Sequence, residues 1–309
     1  MNSEHKEPIA WATAGLVLVT LIWGSTFVVV KESLESMPWT LVLALRFSFG
    51  ALCLLPAGMD AQTLKQGVKL GLLLFVGFGT QTIGLQTTGA ARAAFITGLS
   101  VIMVPWAASR FLRVQVSRRV WTASILALAG LGMLCFDPVQ AEFVAGSKTT
   151  ELCLAGSMCV TMSPPNIGDA WVFACSLAWS IYFLALEEPA RRLAATARGA
   201  ARFTSAQVLT VACIGWLLSM TSLPVLGELG AKAWWSMIYL GVAATALTTL
   251  LQVLGQRFVS PSRAAIIYAL EPLFAALFAF VLLGERMGMV GYIGGAVMIG
   301  AMFLAQREL

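Results

Sequence analysis

Residues 11–30 read WATAGLVLVTLIWGSTFVVV, running from Trp11 to Val30 without a charged side chain. As an α-helix, a stretch of this length rises about 30 Å, the hydrocarbon thickness of a bilayer. Similar apolar stretches recur down the chain, separated by short clusters of charge. In the first part they are Trp11–Val30, Trp39–Gly58, Lys69–Thr88, Ala91–Leu112 and Val120–Phe136. In the second they are Asp169–Glu187, Phe203–Leu223, Trp234–Gly255, Ala264–Leu283 and Gly288–Leu304. Each is about twice the length of a barrel strand, and lipid offers no partner to open backbone groups, so helices are expected.

Composition agrees with that reading. Of 309 residues, 59% are hydrophobic and 11% charged, with a mean hydropathy of +0.83. Soluble domains carry about a quarter charged residues, so a soluble two-domain enzyme is excluded. The net charge of +5 comes from Lys and Arg that punctuate the spans and form no basic patch with interleaved aromatics, so no nucleic acid is expected. The apolar segment after Met1–Pro8 is too long for a signal-peptide core and lacks a clear small-residue cleavage site, so it reads as a helix that stays. With no CxxC and His5 as the sole histidine, neither a metal site nor a cofactor is expected.

With the N-terminus placed inside, fourteen Lys and Arg fall in inner loops and five in outer loops. This positive-inside bias predicts a multi-pass protein of the cell (inner) membrane with both termini cytoplasmic. Trp11, Trp39, Trp171, Trp234 and Trp235 stand at span ends, where amphipathic rings anchor at the interface. One long polar stretch, Asp137 to Gly168, divides the spans into two sets of five. The expected organisation is a first repeat over residues 1–137, an external connecting loop over 138–168, and a second repeat over 169–309. Cys153 and Cys159 in that loop would face an oxidising compartment, where a local disulfide between them is conceivable.

The two sets match one another. An offset of 156 superimposes Leu21 on Leu177, Trp23 on Trp179, Phe27 on Phe183, Arg46 on Arg202 and Phe47 on Phe203. Further on, an offset of 171 superimposes Gln81 on Gln252, Gly84 on Gly255, Arg92 on Arg263 and Leu99 on Leu270. Because each set holds an odd number of spans, the second enters the membrane upside down. The fold class expected is therefore an all-α membrane protein of ten transmembrane helices in two inverted five-helix repeats. Inverted repeats place a solute site between the halves near the midplane.

Several segments resemble the EamA-type members of the drug/metabolite transporter superfamily. They are Leu21 to Phe27 with Lys31, Arg46, Ala94 to Leu99 running on to Pro105, and above all Ser262-Arg-Ala-Ala-Ile-Ile-Tyr-Ala-Leu-Glu-Pro272 ending at Leu283-Gly-Glu285. The resemblance covers nearly the whole chain. It implies ten helices around a central cavity and the movement of amino acids or other metabolites, often outward, but names no substrate. The first half departs from it where Leu112-Arg-Val114 stands in place of Gly-Glu.

Embedded polar groups are the best pointers to a site, since an ionised side chain near the bilayer centre costs about 2.5–3.5 kcal/mol on insertion scales. Arg46 lies about seven residues into its span. It either binds an anionic group bidentately in the cavity or is structural, forming an ion pair or bonding the carbonyls of a broken helix. Glu271, followed by Pro272, is the only acid deep in a span; it is a candidate for proton coupling, or a structural acid bonding a neighbouring helix. Gln81, Gln252, Trp23, Trp179 and Tyr182 are the other candidate substrate-binding residues, each also capable of helix packing.

The expected function is a secondary transporter moving a small metabolite by alternating access, with export favoured. The partners expected are the lipid bilayer and a small-molecule solute, with a homodimer left open. An intramembrane enzyme is the alternative. However, no HExxH, GxSxG or intramembrane aspartate pair is present, and there is no Walker A motif. A membrane-embedded receptor or assembly subunit is the third reading, and it lacks a soluble signalling domain.

Overall fold

The structure is a computed structural model that describes residues 6–135, 150–154, 158–162, 165–283 and 288–306. The first half contains α1 (Lys6–Ser33), α2 (Trp39–Leu54), α3 (Ala61–Gly84), α4 (Ala90–Gly98), α5 (Ser100–Phe111) and α6 (Arg118–Cys135). The second contains α7 (Ile167–Leu193), α8 (Ala197–Leu218), α9 (Ala231–Gly241), a π-helix (Val242–Leu247) continuing into α10 (Thr248–Gly255), then α11 (Pro261–Tyr268), α12 (Glu271–Leu283) and α13 (Met289–Gln306). Within the connecting stretch, β1 (Thr150–Leu154) and β2 (Met158–Met162) form an antiparallel hairpin that sets Cys153 opposite Cys159 in the register. The side chains of those two cysteines lie outside the described residues, as does Glu285.

Among the described residues, nine spans are long and apolar enough to cross a membrane. The expected tenth is α6, whose first two residues, Arg118 and Arg119, dilute an otherwise apolar 18-residue helix. Several spans begin ahead of their apolar stretches, and the two earliest starts, those of α3 and α8, are capped. Asp60 caps α3, its carboxylate accepting from the Thr63 and Gln62 N–H groups while the Thr63 hydroxyl closes a capping box. The helix therefore starts eight residues ahead of Lys69 and carries exposed Lys65 and Lys69 on its first turns. Thr196 likewise caps α8, so Arg198 and Arg202 belong to a helix and not to the preceding loop.

The fourth span of each half is broken. α4 gives way to α5 at Leu99, and α11 to α12 at Ala269–Leu270. At the first break the Leu99 N–H bonds the Ile96 carbonyl at 3.2 Å, and at the second the Leu270 N–H bonds the Ile267 carbonyl at 3.0 Å. Both are tightened i→i−3 turns between residues that the 171 offset superimposes. Pro272 adds to the second break, because it has no N–H to donate to the Tyr268 carbonyl one turn back.

Repeat-equivalent helices pair with each other across the molecule: α2 packs on α8, and α6 on α13. Glycines permit these contacts. A Cβ on Gly130 would lie 2.6 Å from the Gly294 carbonyl oxygen, and one on Gly24 in α1 would lie 2.9 Å from the Ala275 nitrogen in α12. One apolar core joins both halves, including Leu16, Trp23, Phe47, Phe78, Trp179 and Phe203. Large apolar side chains such as Leu72, Ile125, Leu217 and Phe303 point outward instead, the arrangement that lipid favours.

Gly24→Val should force α1 off α12 and cost about 1–3 kcal/mol, read as a lower apparent Tm in detergent. Gly132→Ala, where a Cβ meets nothing within 4 Å, should hold or slightly raise Tm, since Ala is the better helix former. Equal melting of both variants would contradict the close packing at Gly24.

Candidate functional site

The two breaks meet at one cavity. Its lining comes from α1 (Trp23, Thr26), α3 (Phe78, Gln81), the first break (Thr97, Gly98, Ser100), α7 (Trp179, Phe183) and the second break (Tyr268, Glu271, Pro272). The cavity volume is about 30 Å³, room for roughly two waters and too small for a larger solute.

Three pairs of lining residues are repeat equivalents. Trp23 corresponds to Trp179 at an offset of 156, and Thr97 to Tyr268 and Ser100 to Glu271 at an offset of 171. Trp23 and Trp179 touch, with ring centroids 5.3 Å apart. Two symmetry-related side chains can meet only at their axis, so the cavity sits on the pseudo-two-fold.

The aromatic walls interlock. Trp23 packs on Tyr268 at 5.6 Å, Tyr268 on Phe183 at 4.8 Å, Phe183 on Trp179 at 5.5 Å and Trp179 on Phe78 at 5.1 Å. Each such contact adds about 0.5–1.5 kcal/mol beyond the area it buries. Polar groups punctuate this surface. The Trp23 indole N–H, the Thr97 hydroxyl and the Tyr268 hydroxyl are buried without a hydrogen bond of good geometry among the described residues. Glu271 is the one ionisable carboxyl in the lining, at the first turn of α12.

Arg46 does not line the cavity. It is buried behind Phe78, its guanidinium 4.5 Å from that ring's centroid, and within electrostatic reach of Glu271. Its Nε donates to Thr245 Oγ1 at 2.7 Å and its Nη2 to the Ala244 carbonyl at 2.9 Å. Both acceptors belong to the π-helix of the opposite half, where the wider turn changes the carbonyl pattern. Thr245 in turn donates to the Leu240 carbonyl at 2.8 Å. The repeat-equivalent Arg202 also reaches across the halves, donating to the Ala57 carbonyl at 2.9 Å and pairing with Asp60 at 3.6 Å.

The remaining candidates divide. Trp23, Trp179, Gln81 and Glu271 are brought together at the cavity. Tyr182 is fully buried, its hydroxyl donating to Gln207 Oε1 at 2.8 Å. Gln252 is also fully buried, outside the lining, and neither amide atom has a hydrogen bond of good geometry among the described residues. Phe78, Ser100, Phe183 and Tyr268 enter the lining without having been singled out, although extending the 171 offset by one residue past Leu99 and Leu270 would have found Ser100. At one end of the bundle, Arg92 of α4 pairs with Asp169 of α7 at 2.7 Å, beside Thr88 hydrogen-bonded to Asn166. This tie also joins the two halves.

Comparison with known proteins agrees with this architecture. The EamA-like transporter family matches residues 10–136 and 166–306, one repeat each. The chain belongs to the EamA-like transporter family. An uncharacterized transporter of Archaeoglobus fulgidus is 28% identical over 299 residues, covering 97% of this chain and 87% of that one. A second uncharacterized transporter from the same organism is 25% identical over 305 residues, covering 96% and 97%. A crystal structure 17% identical in sequence superimposes with a TM-score of 0.70 over 96% of both chains, sharing the fold. The EamA-like chain described here is thus a multi-pass membrane transporter.

Replacing Arg46 by Ala should strand the Ala244 carbonyl and leave a void beside Phe78, at a cost of about 1–3 kcal/mol for the lost bonds alone. Arg46→Lys should not restore the melting temperature, since an ammonium cannot reproduce the planar fork. A lysine variant as stable as the parent in detergent thermal melts would overturn this assignment.

Proposed function

We propose that this EamA-like protein is a secondary transporter that holds a small organic solute between the two helix breaks and exposes it to either face in turn. The single observation that carries the reading is the convergence of both breaks, through repeat-equivalent residues, on one axial cavity. Irregular backbone at membrane depth is tolerated where protein buries it or where it lines a cavity, and discontinuous helices are where transporters bind solute.

The lining suggests the solute class. Aromatic walls suit an apolar or ring-bearing body, and the indole and hydroxyl groups suit a hydrogen-bonding head. Glu271, as the one carboxyl there, suits an amine, as in an amino acid or a related organic amine. In this reading Glu271 also exchanges a proton with the solute, and Arg46 positions the π-helix without touching the cargo. Export across the cell inner membrane, with both termini cytoplasmic, is the direction and placement favoured by the family resemblance and the Lys/Arg distribution.

Counterflow in proteoliposomes tests the proposal. Vesicles loaded with unlabelled amino acids or aromatic amines, diluted into a labelled trace of the same compound, should accumulate label above empty liposomes. Glu271→Gln should remove the pH dependence of that exchange by removing the titrating group. Absence of counterflow across a panel of amines and amino acids would sink the transport reading. Unchanged pH dependence in the variant would take Glu271 out of it.

A further inference from the structure

The repeat symmetry is obeyed at Trp23/Trp179, Thr97/Tyr268 and Ser100/Glu271, whose members all line the cavity. It is broken at Gln81/Gln252. Gln81 and Gln252 stand three residues before the equivalent helix ends Gly84 and Gly255, yet Gln81 lines the cavity and Gln252 is 0% exposed. The amide nitrogen and oxygen of Gln252 have no hydrogen bond of good geometry among the described residues. It lies within interaction reach of the Tyr268 hydroxyl, which stands at the cavity wall and also lacks a hydrogen bond of good geometry. Thr26 and Tyr182 are another split pair, but the Tyr182 hydroxyl is satisfied by Gln207, so nothing draws it out. A buried amide held by no well-formed hydrogen bond is costly and becomes less so in any conformation that wets it.

A joint for such a movement lies in the same span. α3 runs unbroken from Ala61 to Gly84, whereas its counterpart contains the π-helix Val242–Leu247, which leads directly into α10. A π turn holds about one residue more than an α turn, so taking it up rotates everything beyond it about the helix axis. Arg46 pins this turn through Ala244 and Thr245. Gly241 lets it do so, because a Cβ there would lie 2.6 Å from the Arg46 carbonyl oxygen. Arg46 also lies over Phe78, a cavity wall, so the pin is one ring away from any occupant.

We propose that Gln252 is the solute-contacting counterpart of Gln81 in the oppositely facing state, brought to the cavity when α10 turns at the π-helix that Arg46 holds. This rests on the transport reading and adds to it a second contact residue and the joint that delivers it. In the structure described, Gln81 faces the cavity and Gln252 is stored behind Tyr268. In the opposite state the roles exchange, as inverted repeats allow.

Single cysteines at Gln81 and Gln252, in a full-length background with the native cysteines replaced by Ala or Ser, test this without knowledge of the solute. A membrane-impermeant maleimide is applied to right-side-out and to inside-out vesicles. Gln81→Cys should label from one face and Gln252→Cys from the other, each at least about tenfold faster than from its opposite face. Adding Thr245→Val, which removes one end of the pin, should speed labelling at Gln252→Cys severalfold. A Gln252→Leu variant should melt higher than the parent in detergent, while losing most of its counterflow. Labelling of both cysteines from the same face, or an inert Gln252→Cys in protein that still performs counterflow, would overturn the inference and leave transport standing. Absence of counterflow in the native protein would instead count against the transport reading itself.

Discussion

A helix interrupted within hydrocarbon leaves backbone groups that no lipid can satisfy, and each unsatisfied group costs several kcal/mol. This constraint decides where the two broken spans of the molecule lie. Neither break can face lipid, so both turn inward, where tight i→i−3 bonds at Leu99 and Leu270 and the facing side chains take up what the missing helical bonds release. Because the halves are repeats, breaks at equivalent residues come to the axis together. The cavity follows from these demands more than from any single side chain.

A third irregularity is handled differently. The π-helix after Gly241 carries its altered carbonyl pattern against α2, and there a buried guanidinium supplies two donors. Arginine suits this place, since its fork reaches two acceptors and its flat face rests on Phe78. The close approach at Gly241 keeps the distance short. A charge deep in the bilayer is thus explained by backbone repair, with its nearby carboxylate, Glu271, at electrostatic reach.

Hydropathy made the spans legible because their apolar runs are long and charge is confined to the ends. It misplaced the starts of α3 and α8, since capping by Asp60 and Thr196 extends a helix through residues such as Lys65 and Arg198 that carry their charges out to water. The repeat was legible from Trp23 and Trp179 because a symmetric contact on an axis keeps the same residue on both sides. The breaks themselves were less so. The first has no proline at the broken turn, and Leu99 and Leu270 are ordinary helix formers whose kinks depend on tertiary packing. Arg46 could be read as a cavity ligand, as half of a structural ion pair or as a partner for broken-helix carbonyls, and only the position of the π-helix separates these. Tyr182 and Gln252 illustrate the same limit: a polar residue in a span must find a partner, but its sequence does not say whether that partner is protein or cargo.

The repeats share most of their helical frame and several side chains, but they differ at particular places around the cavity. Ser100 stands where Glu271 does, Phe78 where Thr249 does, and the π-helix has no counterpart in α3. Symmetric packing makes two oppositely facing arrangements comparable in energy, since each half can adopt the other's geometry at similar cost. Asymmetric side chains then keep the two arrangements from being equivalent to an occupant: one half presents a carboxyl, the other a hydroxyl. An occupant held on this axis is therefore gripped by unlike groups from its two sides. Any preference for one facing state over the other must come from those unlike groups and from the turn that Arg46 restrains, because the shared helical frame has no reason to prefer either.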